Sequence, residues 1–289
     1  PERDPAVRPA APLPVAASPR PDLRSPHATL APPRAASDRC LAILPVCDEE
    51  AAIDAVLAGL PREACGMQVD LLVVDDGSRD ATPHIAREHG ARVVAHERSR
   101  GLGAAVRTGL ELAREEGYAA AVYLDGDGEY DPADFDTVLE PVARGRADYV
   151  TGSRFLGRPR AGMSRHRTLA NRTASALLGT LLHTVVSDGQ AGYRAFSARA
   201  LAAARIRHDY NYAQVLTISL WGAGIDAVEV PISYRRRVSG RSFVRYPEYL
   251  ARVAPVVWRE WLEARRARAA PAAAPGTPLE RRVPTPSRT

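Results

Sequence analysis

Ala119-Ala120-Ala121-Val122-Tyr123-Leu124-Asp125-Gly126-Asp127-Gly128-Glu129 decides how the rest of the chain is read. The apolar run Ala119–Leu124 follows a helical pattern and a Gly117 stop signal, so it predicts a buried strand. Its end carries Asp125, Asp127 and Glu129 at alternate positions. In an extended chain, alternate side chains project to one side. Three carboxylates at a strand end suit a hard divalent cation, and the small Gly126 and Gly128 would let a phosphate come close. Mg²⁺ and Mn²⁺ use one or two protein carboxylates and keep positions for water and phosphate oxygens. An acidic surface turn is the plain alternative for an isolated Asp-x-Asp.

Working outward, Cys40–Pro45 reads as a strand, Ala51–Leu60 as a helix and Met67–Val74 as a strand running into Asp75-Asp76-Gly77-Ser78. A short helix near Thr82–His89, a strand at Ala91–Ala95 and a helix over Gly103–Glu116 follow. Pro132 suits the first turn of a helix ending near Arg144, and Tyr149–Thr151 is another strand. This β-α-β order predicts an α/β fold, Rossmann-like, with a mostly parallel sheet and helices on both faces. Ligands bind such sheets beyond the strand C-termini, the edge that holds Pro45–Glu49, Asp75–Ser78 and Asp125–Glu129. The second half reads as a helix over Arg167–Leu182, a polar loop Ser187–Arg194, a helix Ala213–Trp221, a strand Ala227–Tyr234 and a last helix with Pro255 inside it.

Residues 1–38 and 269–289 are rich in Pro, Ala and Arg without apolar periodicity, so both are expected to be disordered. Residues 39–246 are expected to form one domain and 247–268 an amphipathic helix. That helix places Leu250, Val253, Ala254, Val257, Trp258, Trp261 and Leu262 on one side, and Arg252, Arg259 and Arg266 elsewhere. It suits either an anionic membrane surface or packing on the domain. No apolar run approaches the about 18 residues of a membrane span. Cys40, Cys47 and Cys65 lack metal-ligand spacing and are odd in number, which fits reduced thiols and a cytoplasmic setting. The net charge is +5 with 39 basic residues, all Arg. That balance tolerates anionic partners without naming one, and no nucleic-acid-binding pattern accompanies it.

The ordered motifs resemble family 2 glycosyltransferases of the GT-A fold, most closely the polyprenyl-phosphate, dolichol-phosphate mannose synthase-like branch, over roughly residues 40–245. The matching segments are Pro45-Val46-Cys47-Asp48-Glu49, Val74–Ser78, Gly101–Ala105, Asp125–Glu129, Gly152-Ser153-Arg154, Asp188–Arg194 and Arg237–Ser242. Cys47 stands where the family carries Tyr, and Phe243 where a basic residue is usual. The resemblance implies an inverting sugar transfer from a nucleoside-diphosphate sugar to a polyprenyl phosphate at the cytoplasmic membrane face. A soluble hydroxyl acceptor and a non-catalytic nucleotide-sugar-binding protein are the competing readings.

On this resemblance, Pro45, Cys47, Glu49, Asp75, Asp76, Ser78, Gly103, Asp125, Gly126 and Asp127 are expected around the nucleotide sugar. Asp125, Asp127 and Glu129 would hold the metal, whose charge assists the departing diphosphate. Turn formation is the competing role for Asp75 and Asp76, and helix-dipole stabilisation for Glu49. The Gly101-Leu102-Gly103 segment lacks the third glycine of a dinucleotide fingerprint and reads as a tight start to a helix. Asp188 would be a general base if the acceptor were an alcohol. A phosphate acceptor is already ionised and needs cations instead, for which Arg154, Arg194 and Arg237 are candidates. Asp188 would then orient an arginine or the sugar. Solvated surface charge is the competing reading of each arginine.

Overall fold

The computed structural model describes residues 38–156, 163, 165–209, 212–235 and 246–269, without the side chains of 246–252. Both Pro/Ala/Arg-rich tails and Arg237 lie outside the described residues, as do Leu250 and Arg252 as side chains.

Strand β1 (Arg39–Val46) pairs in parallel with β3 (Met67–Asp75) and β5 (Ala120–Leu124). β4 (Arg92–Ala95) pairs in parallel with β3, and β6 (Tyr149–Ser153) with β8 (Ala227–Pro231). These pairs carry the crossover framework that the sequence predicts. The short β2 (Glu63–Ala64) is antiparallel to β3. β7 (Tyr193–Ser197) runs antiparallel between β5 and β6. The sheet, ordered β2-β3-β1-β5-β7-β6-β8 with β4 also on β3, is therefore mixed. The polar loop expected over Ser187–Arg194 ends inside β7, because an arginine interrupts the apolar run of that strand.

Alternation along β1 divides the core. Cys40, Ala42, Leu44 and Val46 face α1 (Ile53–Gly59), α2 (Thr82–Glu88) and α4 (Phe135–Ala143), which a 3-10 turn at Pro132–Asp134 precedes. Leu41 and Ile43 face α3 (Leu102–Glu115), α6 (Ala198–Ala203) and α7 (Ala213–Gly222). The period-two pattern thus fixes a three-layer arrangement with helices on both faces. A smaller apolar cluster joins α5 (Arg165–Leu182), α7 and α8 (Tyr246–Ala269) through Leu178, Leu182, Ile218 and Ala264. α8 docks there: Val253 and Ala264 are buried, and the Trp261 indole N–H donates to the Leu181 carbonyl at 2.8 Å. Its apolar side is spent on the domain, which leaves Trp258 and Ala254 outward. Among the described residues no helix is long and apolar enough to cross a membrane.

Candidate active site

The loops that leave β1 and β3 are tied together by reciprocal bonds. The Asp48 amide donates to Ser78 Oγ (3.0 Å), and the Arg79 amide returns a bond to Asp48 Oδ1 (2.7 Å). The Glu49 amide donates to Thr82 Oγ1 at 2.8 Å. The Glu50 amide donates to Asp80 Oδ2 and the Ala81 amide to Glu50 Oε2, both at 3.1 Å. Pro45 is buried in β1, while Cys47 emerges exposed beside these loops. Partial burial, and then the charges of Asp48, Asp76, Asp75 and Glu49, raise the Cys47 thiol above its usual range, so it stays protonated at neutral pH.

Asp75 and Asp76 divide their work. Asp75 Oδ1 accepts the Ser78 amide at 3.0 Å and closes the turn. The Asp76 carboxylate accepts from His96 Nδ1 (2.7 Å), Ser99 Oγ (2.8 Å), and the amides of Arg100 (2.9 Å) and Gly101 (2.8 Å). Burial alone would raise its pKa, but these donors outweigh burial and hold it below the ordinary 3.8. Asp76 therefore anchors the loop that leads into α3. Gly103, expected near phosphate, gives its amide to the Asp209 carbonyl at 2.8 Å.

The carboxylates after β5 do not converge as an extended chain would bring them. The backbone turns at Gly126-Asp127, and Gly128 has φ of +74°. Alternation is lost, and among the described residues no group of three His, Cys, Asp or Glu could hold a metal ion. The Asp125 carboxylate accepts from the Tyr123 hydroxyl, which in turn accepts from the Tyr212 hydroxyl at 2.6 Å. It presses on Gly192, where any Cβ would lie 2.0 Å from Oδ2. Asp127 is buried, and its Oδ1 accepts the Glu129 amide at 2.9 Å. Glu129 is bound through both oxygens by Arg167 of α5, at 3.0 and 3.1 Å. The expected three-carboxylate cluster is thus not formed among the described residues, and Glu129 belongs to an ion pair. Gly126 is small because β1 requires it: a Cβ there would stand 2.5 Å from Val46.

The opposite side of the edge is built from arginines. Arg154 donates from its amide (3.1 Å) and Nε (2.7 Å) to Asp188 Oδ2, and from Nη2 to Oδ1 (2.9 Å). Both side chains are buried, Asp188 completely. Burial would weaken the Arg154 cation, but Tyr130, Asp188 and Glu129 outweigh that and hold it above the usual arginine range. Glu229 orients the Asp188 loop by accepting the Ser187 and Asp188 amides, at 2.8 and 3.0 Å. Arg194 is fully buried. It donates to the carbonyls of Ala191 (2.8 Å), Gly189 (3.2 Å) and Ala213 (3.2 Å) and to the Tyr149 hydroxyl. Arg194 is therefore a scaffold residue and not a phosphate ligand, because no part of it reaches the edge.

Sequence reasoning missed Arg167, Tyr123, Tyr212 and Tyr234, whose hydroxyl lies 3.1 Å from Arg167 Nη1. Two signals pointed to them. Arg165-His166-Arg167 opens a helix where positive charge opposes the dipole, which implies an anionic partner. Tyr123 stands in an otherwise aliphatic buried strand, where its hydroxyl requires a partner.

Residues 41–203 match the family described as Glycosyl transferase family 2. The polyprenol monophosphomannose synthase of Mycolicibacterium smegmatis is 34% identical, across 71% of this chain and 81% of its own. The undecaprenyl-phosphate mannosyltransferase of Micrococcus luteus is 31% identical, across 71% of this chain and 86% of its own. The fold also matches the glucosyl-3-phosphoglycerate synthase of Mycobacterium tuberculosis, crystallised with Mn²⁺, uridine diphosphate and glucosyl-3-phosphoglycerate. That match has a TM-score of 0.60 and 21% identity over 81% of each chain.

Proposed function

The chain belongs to glycosyl transferase family 2, and from that premise we propose that it moves a sugar, with inversion, from a nucleoside-diphosphate sugar to a polyprenyl phosphate. The observation that carries the acceptor class is the state of Asp188. A hydroxyl acceptor needs a carboxylate free to take its proton during attack. Asp188 is enclosed and committed to Arg154 by three bonds. A lipid monophosphate has a second pKa near 6, so it arrives ionised. Its oxygen attacks the anomeric carbon, the bond from that carbon to the diphosphate breaks, and the nucleoside diphosphate leaves with the electron pair. The two similar proteins named for polyprenol and undecaprenyl phosphate support the same acceptor.

The donor set fits a hard cation: Asp125 and Asp127 supply the one or two carboxylates that Mg²⁺ or Mn²⁺ requires. Such an ion would neutralise charge on the departing diphosphate. Pro45, Cys47, Glu49 and Asp75 border the same edge on the nucleotide side, and Asp76 and Ser78 act by fixing its loops. With Arg154 and Arg194 engaged internally, Arg237 is the proposed partner of the acceptor phosphate.

Chelation tests this reading. EDTA should abolish transfer, and Asp127→Ala should remove most of it while costing no more than about 1–3 kcal/mol of stability. Full transfer by the metal-free protein would overturn the assignment.

A further inference from the structure

Helix α5 keeps one side turned outward along its whole length. Besides His166 in the first turn, Arg165, Leu169, Arg172, Thr173, Ala176, Leu177 and Thr180 are exposed, while Ser175, Leu178, Gly179 and Leu182 are buried. The spacing of four, three, one, three, one and three residues is that of a single helical stripe. Leu169 is 68% and Leu177 64% exposed, two leucines bare on the same side of one helix. Past the helix, Val185 is 88% exposed. Trp258 of α8, 54% exposed, stacks at 4.9 Å on Trp261, which is itself bonded to Leu181 in the last turn of α5. The Arg172 guanidinium lies 5.4 Å from the Phe155 ring, next to the exposed Leu156. One apolar strip therefore runs from Leu156 to Val185 and Trp258.

Charge identifies what covers it. Between Asp148 and Asp188 the chain has no carboxylate, Arg165 and Arg172 are exposed on the outward side of α5, and Arg265 lies over the Trp261 ring at the far end. Exposed leucines flanked on α5 by cations complement an anionic, apolar-cored surface and would repel a basic one. The strip also reaches the active site: Arg167, in the second position after Arg165, holds Glu129 at the sheet edge. We propose that the outward face of α5, with Val185 and Trp258 at its far end, lies on an anionic lipid bilayer and opens the acceptor side of the site toward it. The inference rests on the lipid-phosphate reading for its purpose, since such an acceptor is drawn from a bilayer. It assigns the contact chiefly to α5, with only Trp258 of α8 taking part, since most of the apolar side of α8 is packed on the domain.

The test is sedimentation of the full chain with vesicles of phosphatidylcholine alone or mixed with phosphatidylglycerol, with neither donor nor acceptor present. The chain should bind the mixed vesicles and scarcely the neutral ones. A Leu169→Glu, Leu177→Glu double variant should bind roughly a hundredfold less or weaker, the scale of withdrawing two leucines from an apolar phase. Both positions are exposed, so its Tm and its transfer to a short, water-soluble isoprenyl phosphate should match the parent. Arg172→Gln should reduce only the preference for phosphatidylglycerol. Equal vesicle binding by the double variant, or no binding by the parent, would overturn the proposal. So would a double variant that turns a dimer into a monomer with vesicle binding intact, since the strip would then join two copies. Vesicle binding as expected, with no transfer to any prenyl phosphate, would refute the acceptor reading and leave the surface standing.

Discussion

The two halves of the sheet edge solve the burial of charge in opposite ways. On the side of β1 and β3, buried carboxylates are satisfied mainly by backbone amides and hydroxyls: Asp75 by Ser78, Asp76 by Ser99, Arg100 and Gly101. On the side of β6 and β7, charge is matched by guanidinium groups: the buried Arg154 on Asp188, the half-buried Arg167 on Glu129, and the buried Arg194 on carbonyls and a tyrosine. Amide cages rigidify a loop mostly through neutral donors, His96 being the one ionisable partner among those named. Arginine pairs couple distant segments, here 34 residues apart for Arg154 and Asp188, and become costly when one member is lost. The acceptor half should therefore be the more fragile one.

The largest expected effect is at Arg194. Arg194→Met removes the guanidinium donors to the carbonyls of Ala191 and Gly189 in the interior and should cost roughly 3–5 kcal/mol in chemical denaturation. A loss below about 1 kcal/mol would mean that the arginine is dispensable to the scaffold. Asp188→Asn should follow, at roughly 3 kcal/mol or more, because Arg154 would remain buried without its counter-charge. A catalytic base that carried no structural load would instead lose activity at unchanged stability.

On the amide-caged side, Asp76→Asn should cost less, about 1–3 kcal/mol. Its pH dependence identifies the cage. The folded-state pKa of Asp76 lies below its ordinary 3.8, so its contribution is full above that value and fades as pH falls through the folded value. The stability gap between parent and variant should be present at about pH 5 and narrow as the pH falls below about 4. A gap that stays the same down to about pH 2 would contradict the assignment. Smallest is Tyr212→Phe, about 0.5–1.5 kcal/mol. It removes the donor behind Tyr123 and should weaken Mn²⁺-dependent nucleotide binding several-fold in calorimetry, through a less firmly held Asp125. Unchanged binding would show that Gly192 alone positions that carboxylate.

This contrast also explains what could be read from the chain. Strands β1, β3 and β5 alternate or run apolar and end in polar clusters, so their place in the sheet and the shared edge follow from periodicity. β7 is invisible to the same rule, because Tyr-Arg-Ala-Phe-Ser carries a buried arginine that only tertiary partners justify. The convergence of the acidic cluster could not be read from spacing, because alternation assumes an extended backbone and Gly128 breaks it. The amphipathic pattern of α8 could not reveal its partner, since a helix facing α7 and one facing lipid share the same stripe. Arg167 hides among 39 arginines, and only its place in a helix's first turn sets it apart.

The most direct measurement of the central claim is a transfer assay with paired acceptors. The full chain, Mn²⁺ and a labelled nucleotide sugar are offered a polyprenyl phosphate and, separately, the matching polyprenol. The account predicts labelled lipid only from the phosphate, in a reaction abolished by EDTA and free of a rate-limiting basic group on the protein in its pH profile. Glycosylation of the alcohol, with a carboxylate-like pKa in the rate profile that disappears in Asp188→Asn, would contradict it.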